Sequence, residues 1–256
     1  MKELHAFLIG LVMLAGLGLM GPPAATAAPR CSIDWGSLLD ISGQVTEARI
    51  VEVRAAALRC YTRLLTGEDG VSDAEAATIV YPKPGGSVRF DDPRDLAGSF
   101  AVDLVGFTDP LISDFMQGDS RSGEFAVRAE ENGPVTTVLV RQMSDQQWYV
   151  LGATTSDIEV TVPGPGANVD SPVQVAGQAR AFEGTVRVTV HGRGWDEPVG
   201  EGFVTASGGP ELGPFSGEIG FTKHGGRGSV LFTIDSARDG SVWQAAAVPV
   251  GFAAGC

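Results

Sequence analysis

Residues 158–190 read IEVTVPGPGANVDSPVQVAGQARAFEGTVRVTV, and this stretch decides the fold of the chain. Valine or isoleucine occupies every second position in three runs, at residues 158–162, 173–175 and 186–190. A period of two places the apolar side chains on one face, so each run predicts a strand that is buried on one side. The prolines and glycines between the runs predict turns, because proline lacks a backbone N–H donor and glycine suits turn conformations.

Further strands are predicted downstream, at about residues 199–205, 215–221, 229–234 and 244–252. Roughly seven short strands at regular spacing predict an all-β immunoglobulin-like sandwich for residues 155–256. We expect Phe182, Phe215 and the alternating valines to lie in its core. We expect Gly177 and Gly184 to occupy turn or bulge positions.

The same region carries a motif, P-x-x-G-x-x-V-x-S-P-V-x-V-x-G-x-A-x-x-F-E-G, that begins at Pro163 and ends at Gly184. This motif resembles the immunoglobulin-like domain family named after bacterial spore germination proteins. Pro214 with Phe215, the turn at 235–241 and the last strand around residues 248–250 follow in the order of that family. The resemblance implies an extracytoplasmic, non-catalytic domain that mediates contacts in the cell envelope, and it transfers no catalytic residues.

The first 27 residues have the layout of a secretory signal peptide. Lys2 supplies a positive start, residues 7–20 are apolar or glycine, and Ala25-Thr26-Ala27 offers the small residues of a cleavage site. The apolar run is short for a membrane span. The sequence therefore predicts a secreted protein of the cell envelope with no transmembrane segment in the mature chain, and a retained N-terminal anchor is the alternative.

Export changes the expected chemistry of the three cysteines, because disulfides form in oxidising compartments. We predict a disulfide between Cys31 and Cys60, which would close a loop of about 30 residues and stabilise the fold by roughly 3–4 kcal/mol. Cys256 is then left over at the C-terminus. Pairing of Cys256 with either of the other two stays open, since sequence alone does not fix connectivity.

The chain is acidic, with a formal net charge of −13. Such a surface is repelled by phosphate backbones and by anionic lipids, which argues against binding to nucleic acid and against electrostatic membrane binding. Gly164-Pro165-Gly166 lacks the third glycine and the helix of a dinucleotide site, and no phosphate-binding glycine loop is present. We therefore predict no cofactor.

Residues 28–70 form an N-terminal segment whose first part, residues 31–64, resembles the opening of an AMIN-like domain found in secreted actinobacterial proteins. The resemblance rests on the runs CSIDWGSL at residue 31, ARIVEVR at residue 48 and RCYTRL at residue 59. It implies binding to the cell wall. The alternative from periodicity is a helix, because apolar residues recur at helical spacing between residues 50 and 65.

Residues 71–154 predict a small α+β domain. Asp92 is a suitable helix N-cap, Pro93 suits the first helical position, and Gly106 ends an apolar pattern of helical spacing. Residues 109–110 repeat the Asp-Pro start signal and predict a second, shorter helix that ends near Gly118.

Three strands are expected after these helices, at residues 123–130, 135–142 and 147–153, with Asn132-Gly133 as a hairpin signal between the first two. A helix that covers an antiparallel meander is an α+β unit, analogous to the cystatin and nuclear-transport-factor folds. Only residues 154–157 separate it from the first strand of the sandwich. We therefore expect a restricted orientation between the two domains.

Candidate catalytic groups are few. His191 and His224 lie in glycine-rich contexts that predict solvated hairpin tips. Ser216 does not sit in a Gly-x-Ser-x-Gly turn, since the first glycine of Gly213-Pro214-Phe215-Ser216-Gly217 is one place too far away. Acidic pairs occur in polar turns, where both members are expected to be ionised: Asp91 with Asp92, Glu130 with Glu131, and Asp235 with Asp239. We predict no catalytic and no metal-binding residues.

Tryptophans are the best candidates for contact with a ligand, because an exposed aromatic face on a sandwich can stack on a sugar. Trp35, Trp195 and Trp243 are considered, and Trp195 in a predicted hairpin is preferred. The sequence thus predicts a non-enzymatic envelope protein that binds cell-wall polymer or another exported protein, and the family resemblance implies a link to sporulation or germination. The alternative is an envelope hydrolase whose site is assembled between the domains.

Overall fold

The computed structural model describes residues 70–194, 197–222 and 226–253. Several sequence predictions fall outside these residues. They are the signal peptide, the AMIN-like segment, the disulfide of Cys31 with Cys60, Cys256, Trp35, Trp195 and His224.

The N-terminal half, residues 70–155, contains two short helices and five strands. Its elements are α1 (Asp73–Thr78), α2 (Pro93–Ser99), a π-helical continuation of α2 (Phe100–Val105), β1 (Leu111–Ile112), β2 (Met116–Asp119), β3 (Ser122–Arg128), β4 (Thr136–Gln142) and β5 (Trp148–Thr155). Strands β3, β4 and β5 pair in antiparallel order. This is the predicted helix followed by a three-stranded meander.

Helix α2 begins where the sequence predicts. The Asp92 side chain accepts a hydrogen bond from the Arg94 backbone N–H at 2.7 Å, and Pro93 is the first helical residue. The helix ends at Gly106, which adopts the left-handed conformation with φ of 89°. Leu96 and Phe100 are fully buried and pack on β3, β4 and β5, so the helix covers one face of the sheet.

Helix α1 has no counterpart in the sequence predictions. Its N-terminus carries a capping box, in which the Ser72 hydroxyl accepts from the Glu75 N–H and the Glu75 carboxylate accepts from the Ser72 N–H. This Ser-x-x-Glu signal is visible in the sequence. The same carboxylate also accepts from Ser144, which ties α1 to the β4–β5 turn.

The second predicted helix, near residues 110–118, is wrong. Asp109 adopts φ of 48° instead of an extended N-cap conformation, and the segment forms β1 and β2, which pair with β3. Tertiary contacts hold it in this form. The Arg94 guanidinium donates to the backbone carbonyls of Ile112 and Ser113, and Phe115 packs on the rings of Phe125 and Trp148.

The C-terminal half, residues 156–253, is built almost entirely of strands. They are β6 (Ile158–Val162), β7 (Ala167–Val169), β8 (Val173–Ala179), β9 (Thr185–Gly192), β10 (Gly200–Thr205), β11 (Gly213–Ile219), β12 (Gly226–Asp235) and β13 (Val242–Phe252). All seven predicted strands are present. The short strand β7, which pairs in parallel with β13, is additional.

Two antiparallel sheets form the predicted sandwich. One sheet contains β6, β8 and β11, and the other contains β13, β12, β9 and β10 in that order. Alternate residues of both sheets face one apolar core, with Val175, Val188, Phe215 and Phe232 among its buried members. The register between β9 and β12 sets Val188 opposite Phe232, which keeps the apolar faces aligned.

The expected core position of Phe182 is wrong. Phe182 begins a short 3-10 turn (Phe182–Gly184), and its side chain is 66% exposed. Glu183 and Gly184 both have positive φ, so the chain reverses there before β9 starts. The prediction is confirmed for Gly184, which lies in this turn, and is wrong for Gly177, which lies within β8 and pairs with Phe215 and Val160.

The two halves share a core. Strand β5 pairs with β13 through Ala153 opposite Ala247, and with β6 through Thr155 opposite Ile158. Leu231, Ala245 and Ala247 project from the outer face of β12 and β13 and join the core beneath α2. All described residues accordingly belong to one compact unit that spans residues 61–256. No helix in the described part of the chain is both long enough and apolar enough to cross a membrane.

Candidate functional site

Three cavities lie along the seam between the two halves, and each is lined by residues from both. The His191 cavity has a volume of about 470 Å³, the Trp243 recess about 360 Å³, and an apolar groove about 550 Å³. Volumes of this size are typical of sites for small ligands. The seam is therefore the part of the described structure that has space for small ligands.

The His191 cavity is formed where the ends of β9 and β12 meet the N-terminal half. Its described lining residues are Val80, Tyr81, Pro82, Lys83, Gly86, Ser87, Val88, Asp103, Leu104, His191, Gly192, Arg193, Gly194, Gly228 and Ser229. His191 is opposite Ser229 in the strand register, on the outer face of the sandwich. The lining residues come from four separate segments of the chain, so no single sequence motif predicts the cavity.

His191 is not the solvated turn residue that the sequence predicts. It lies in β9 and is only 8% exposed, because the N-terminal half covers the outer face of this sheet. Its Nε2 atom lies 2.9 Å from the Thr189 hydroxyl. Its Nδ1 atom is buried and has no hydrogen-bond partner among the described residues. Burial lowers the pKa of His191 from 6.5 to about 4, so the ring is neutral at neutral pH.

The buried His191 ring should make stability depend on pH. The folded-state pKa lies below the unfolded value, so protonation favours the unfolded chain, and stability is expected to fall as the pH drops from 6.5 towards 4. The contribution lost is about 3 kcal/mol at most. Urea denaturation at pH values across this window, on the wild type and on His191→Gln, measures it. The variant should show the shallower decline, and equal slopes would contradict the prediction.

Tyr81 and Asp103 form the opposite wall of the cavity. The Ser99 hydroxyl donates its only hydrogen to the Asp103 carboxylate, so the Tyr81 hydroxyl, 2.7 Å from Ser99 Oγ, must donate to that oxygen. Burial raises the pKa of Tyr81, the Ser99 hydrogen bond lowers it, and the Asp103 charge raises it further. The pKa of Tyr81 is raised overall, so its phenol stays protonated. The Asp103 carboxylate is therefore the one anionic group among the described lining residues.

Two cationic side chains line the same cavity. Lys83 is exposed, and it forms no salt bridge within the described part of the chain. Its aliphatic stem packs against Gly194, where an added Cβ atom would lie 2.6 Å from Lys83 Cδ. The Arg193 guanidinium donates to the Ile79 carbonyl across the seam. Neither residue was signalled by the sequence, although the turn-forming run Pro82-Lys83-Pro84-Gly85-Gly86 marks a loop that presents the lysine.

The described groups of this cavity do not assemble a hydrolytic site. His191 interacts with Thr189 and not with a carboxylate, and the Asp103 carboxylate is engaged by Ser99. Ser216 lies in β11 within the other sheet, as expected for a turn entering a strand. A nucleophile, a base and an orienting acid in mutual contact are what hydrolysis by a serine enzyme requires.

The Trp243 recess lies elsewhere on the seam and combines aromatic and charged side chains. Phe182 and the half-buried Trp243 line it together with Arg180, Arg238 and Glu130. The Trp243 ring packs close to the β3–β4 turn, since a Cβ atom on Gly133 would lie 3.3 Å from Trp243 Cη2. Of the three tryptophans predicted to contact a ligand, Trp243 alone falls within the described residues, and it lines a cavity.

A partly buried hydrogen-bond network includes Gln244 and Arg180, which line the recess. The Thr155 hydroxyl donates to Gln244 Oε1 at 2.6 Å, and Gln244 Nε2 donates to Asp157 Oδ2 at 2.9 Å. Asp157 also forms a salt bridge with Arg180. Because Thr155 and Asp157 flank the turn between β5 and β6, this network fixes the connection of the two halves and positions Arg180 at the recess.

The other acidic pairs show structural roles. Asp235 accepts from the Arg187 guanidinium at 2.7 Å, and hydrogen bonds from Ser241 and Ser236, with Arg238 nearby, lower the pKa of Asp239. Asp91 accepts from Gln147, and Asp92 caps α2. Within residues 70–194, 197–222 and 226–253, no group of three His, Cys, Asp or Glu side chains is placed to hold a metal ion.

Comparison with known proteins identifies the sandwich. Residues 157–241 match the family described as the immunoglobulin-like domain of bacterial spore germination. The matched region runs from the β5–β6 turn to the start of β13, and it contains His191, Phe182 and Arg180. No curated protein and no solved structure matches the chain.

Proposed function

We propose that this chain is a secreted, non-catalytic protein of the cell envelope that binds cell-wall polymer at the Trp243 recess. The observation that carries the proposal is the recess itself, in which Phe182 and Trp243 lie beside Arg180, Arg238 and Glu130. The germination-associated family supports a binding role. The signal-peptide pattern in the sequence of residues 1–27 supports export.

Phe182 is the residue that a folding argument alone does not explain. A phenylalanine that is 66% exposed contributes little to the core and leaves apolar surface in water. Beside a second aromatic ring and several charged groups, it has the makeup of a binding site, where aromatic anchors supply contact area and polar groups fix orientation. A glycan chain offers apolar faces for the rings and hydroxyl and carboxyl groups for the arginines and Glu130.

The domain arrangement that we propose has a signal peptide at 1–27, an N-terminal segment at 28–70, an α+β domain with a cystatin-like meander at 71–154, and the immunoglobulin-like domain at 155–256. The recess draws on both domains, since Glu130 belongs to the first and Phe182 to the second. The Arg238–Glu130 salt bridge at 3.1 Å crosses between them. Ligand binding would therefore depend on their fixed orientation.

Retention on purified cell-wall material tests the proposal. The Phe182→Ala variant of the mature protein is expected to bind about tenfold more weakly than the wild type, because truncation of an aromatic anchor typically costs more than 1 kcal/mol. Phe203→Ala is the matched control, since Phe203 is 60% exposed on β10 and does not line the recess. Its retention should equal that of the wild type.

Other outcomes would point to other functions. Equal loss in both variants, or no retention of the wild type, would contradict binding at the recess. Capture of one exported protein from envelope extract, sensitive to Phe182→Ala, would replace the polymer by a protein partner. Cleared zones in a zymogram with cell-wall substrate, abolished by His191→Ala, would establish the hydrolase instead.

A further inference from the structure

The His191 cavity is separate from the Trp243 recess, and its chemistry differs. The recess is open and aromatic, whereas the cavity has buried polar side chains at its floor and a lysine at its rim. Ser229 is 2% exposed and His191 8% exposed, and both line the cavity from the outer face of the sandwich. A site built on rigid strands in this way holds its polar groups in fixed positions.

The net charge of the lining residues is positive, whereas the net charge of the whole chain is negative. Among its described lining residues, Lys83 and Arg193 carry two positive charges and Asp103 carries one negative charge, while the chain as a whole is at −13. Lys83 has no intramolecular ion-pair partner in the part of the chain that the structure describes. A positive rim within an acidic surface gathers small anions from solution.

The remaining polar groups suit hydroxyl groups. The Asp103 carboxylate can accept a further hydrogen bond, since a carboxylate has several acceptor positions and Ser99 uses one. Ser87 adds a hydroxyl at the rim.

We propose that the His191 cavity binds a small polyhydroxylated anion, of the class of sugar acids and sugar phosphates. The anionic group lies at Lys83, with Arg193 adding to the positive field. The ligand hydroxyl groups contact the Asp103 carboxylate and the Ser87 hydroxyl. The cavity volume of about 470 Å³ accommodates one such molecule.

Calorimetric titration of the full mature protein with glucuronate, glucose 6-phosphate and uncharged glucose tests this inference at neutral pH and low salt. At least one of the two anions is expected to bind saturably, and glucose is expected to bind at least tenfold more weakly, about the loss of one charge-assisted hydrogen bond. The anion that binds shows whether a carboxylate or a phosphate is preferred. Added salt should weaken the binding.

Substitutions of lining residues test whether the anion binds in the cavity. Lys83→Gln is expected to weaken binding of the anion about tenfold, because it removes the charged donor. Arg141→Gln removes the same charge from an exposed ion pair with Asp119 outside the cavity and should leave binding unchanged. Ser87→Trp puts a large side chain at the rim and should abolish binding, and both cavity positions are exposed, so the fold is expected to be retained.

Several results would overturn the inference. They are the failure of both anions to bind, binding of glucose as tight as that of the anions, an effect of Lys83→Gln no larger than that of Arg141→Gln, and unchanged binding in Ser87→Trp. None of them bears on retention by cell-wall material, which depends on Phe182 at the other site. The two proposals therefore stand or fall separately.

Discussion

Replacing Phe232 with alanine is expected to lower the free energy of unfolding by about 3–5 kcal/mol. Phe232 lies on β12, the strand between β13 and β9, and its side chain is completely buried. Its ring is 6.0 Å from that of Phe215 on the opposite sheet, so the pair spans the sandwich core. A total stability of about 5–15 kcal/mol is usual for a domain, and the loss would be a large part of it.

Denaturation in urea, followed by circular dichroism, measures this loss. Phe203→Ala is the matched control, because it makes the same chemical change at a side chain that is 60% exposed on the neighbouring β10. We expect the control to change stability by less than about 1 kcal/mol. A similar loss in both variants would contradict the assignment of Phe232 to the core.

Replacing Gly177 with alanine is expected to lower the free energy of unfolding by about 3 kcal/mol. A Cβ atom at this position would lie 2.7 Å from Cζ of Phe215, and closer still to the backbone carbonyl of Glu159. Both neighbours are held by pairing: Gly177 is opposite Phe215 on β11 and opposite Val160 on β6. The added methyl group therefore forces the strands apart.

Gly220→Ala is the control for this prediction. Nothing lies within 4 Å of a Cβ atom built on Gly220, and its φ is outside the left-handed region. Alanine there is expected to be neutral or to stabilise by up to about 1 kcal/mol, because it restricts the unfolded chain. Thermal unfolding of the two variants should therefore show shifts of opposite sign, or a large shift only for Gly177→Ala.

The strands of the sandwich could be predicted because their cause is local. The apolar residues of β6 and β9 recur at every second position, so the pattern in 158–162 or 186–190 carries the needed information. Helix α2 could be predicted for the same reason, since Asp92 and Pro93 act on the first turn of their own helix. Strand β7 was missed because it is three residues long and its pairing partner β13 lies far along the chain.

The failed predictions concern features that the local sequence does not determine. His191 sits in a glycine-rich stretch that suggests a solvated tip, yet the N-terminal half covers it. Phe182 is aromatic and suggests a core position, yet the positive φ values of Glu183 and Gly184 turn it outward. Residues 109–118 carry a helix start signal, yet pairing with β3 outweighs it. Local propensity is a weak prior where tertiary contacts compete with it.

The candidate sites also depend on contacts between distant segments, which local sequence patterns do not predict. Trp243 was a candidate in the sequence because of its residue type, and the structure adds Phe182, Arg180 and Glu130 around it. Lys83, Tyr81 and Asp103 lie about 90 to 110 residues before His191 and become neighbours only when the halves pack together. No motif spacing encodes such a site, so it is found only after the chain has folded.

The apolar strip of Leu231, Ala245 and Ala247 has a consequence for dissection of this protein. A shortened chain that keeps only the immunoglobulin-like strands would present this strip to water, next to the unpaired side of β13 left by the removal of β5. Unpaired strand edges beside exposed apolar side chains favour aggregation. Truncated chains are thus expected to aggregate, whereas chains that retain residues 71–154 should remain in solution.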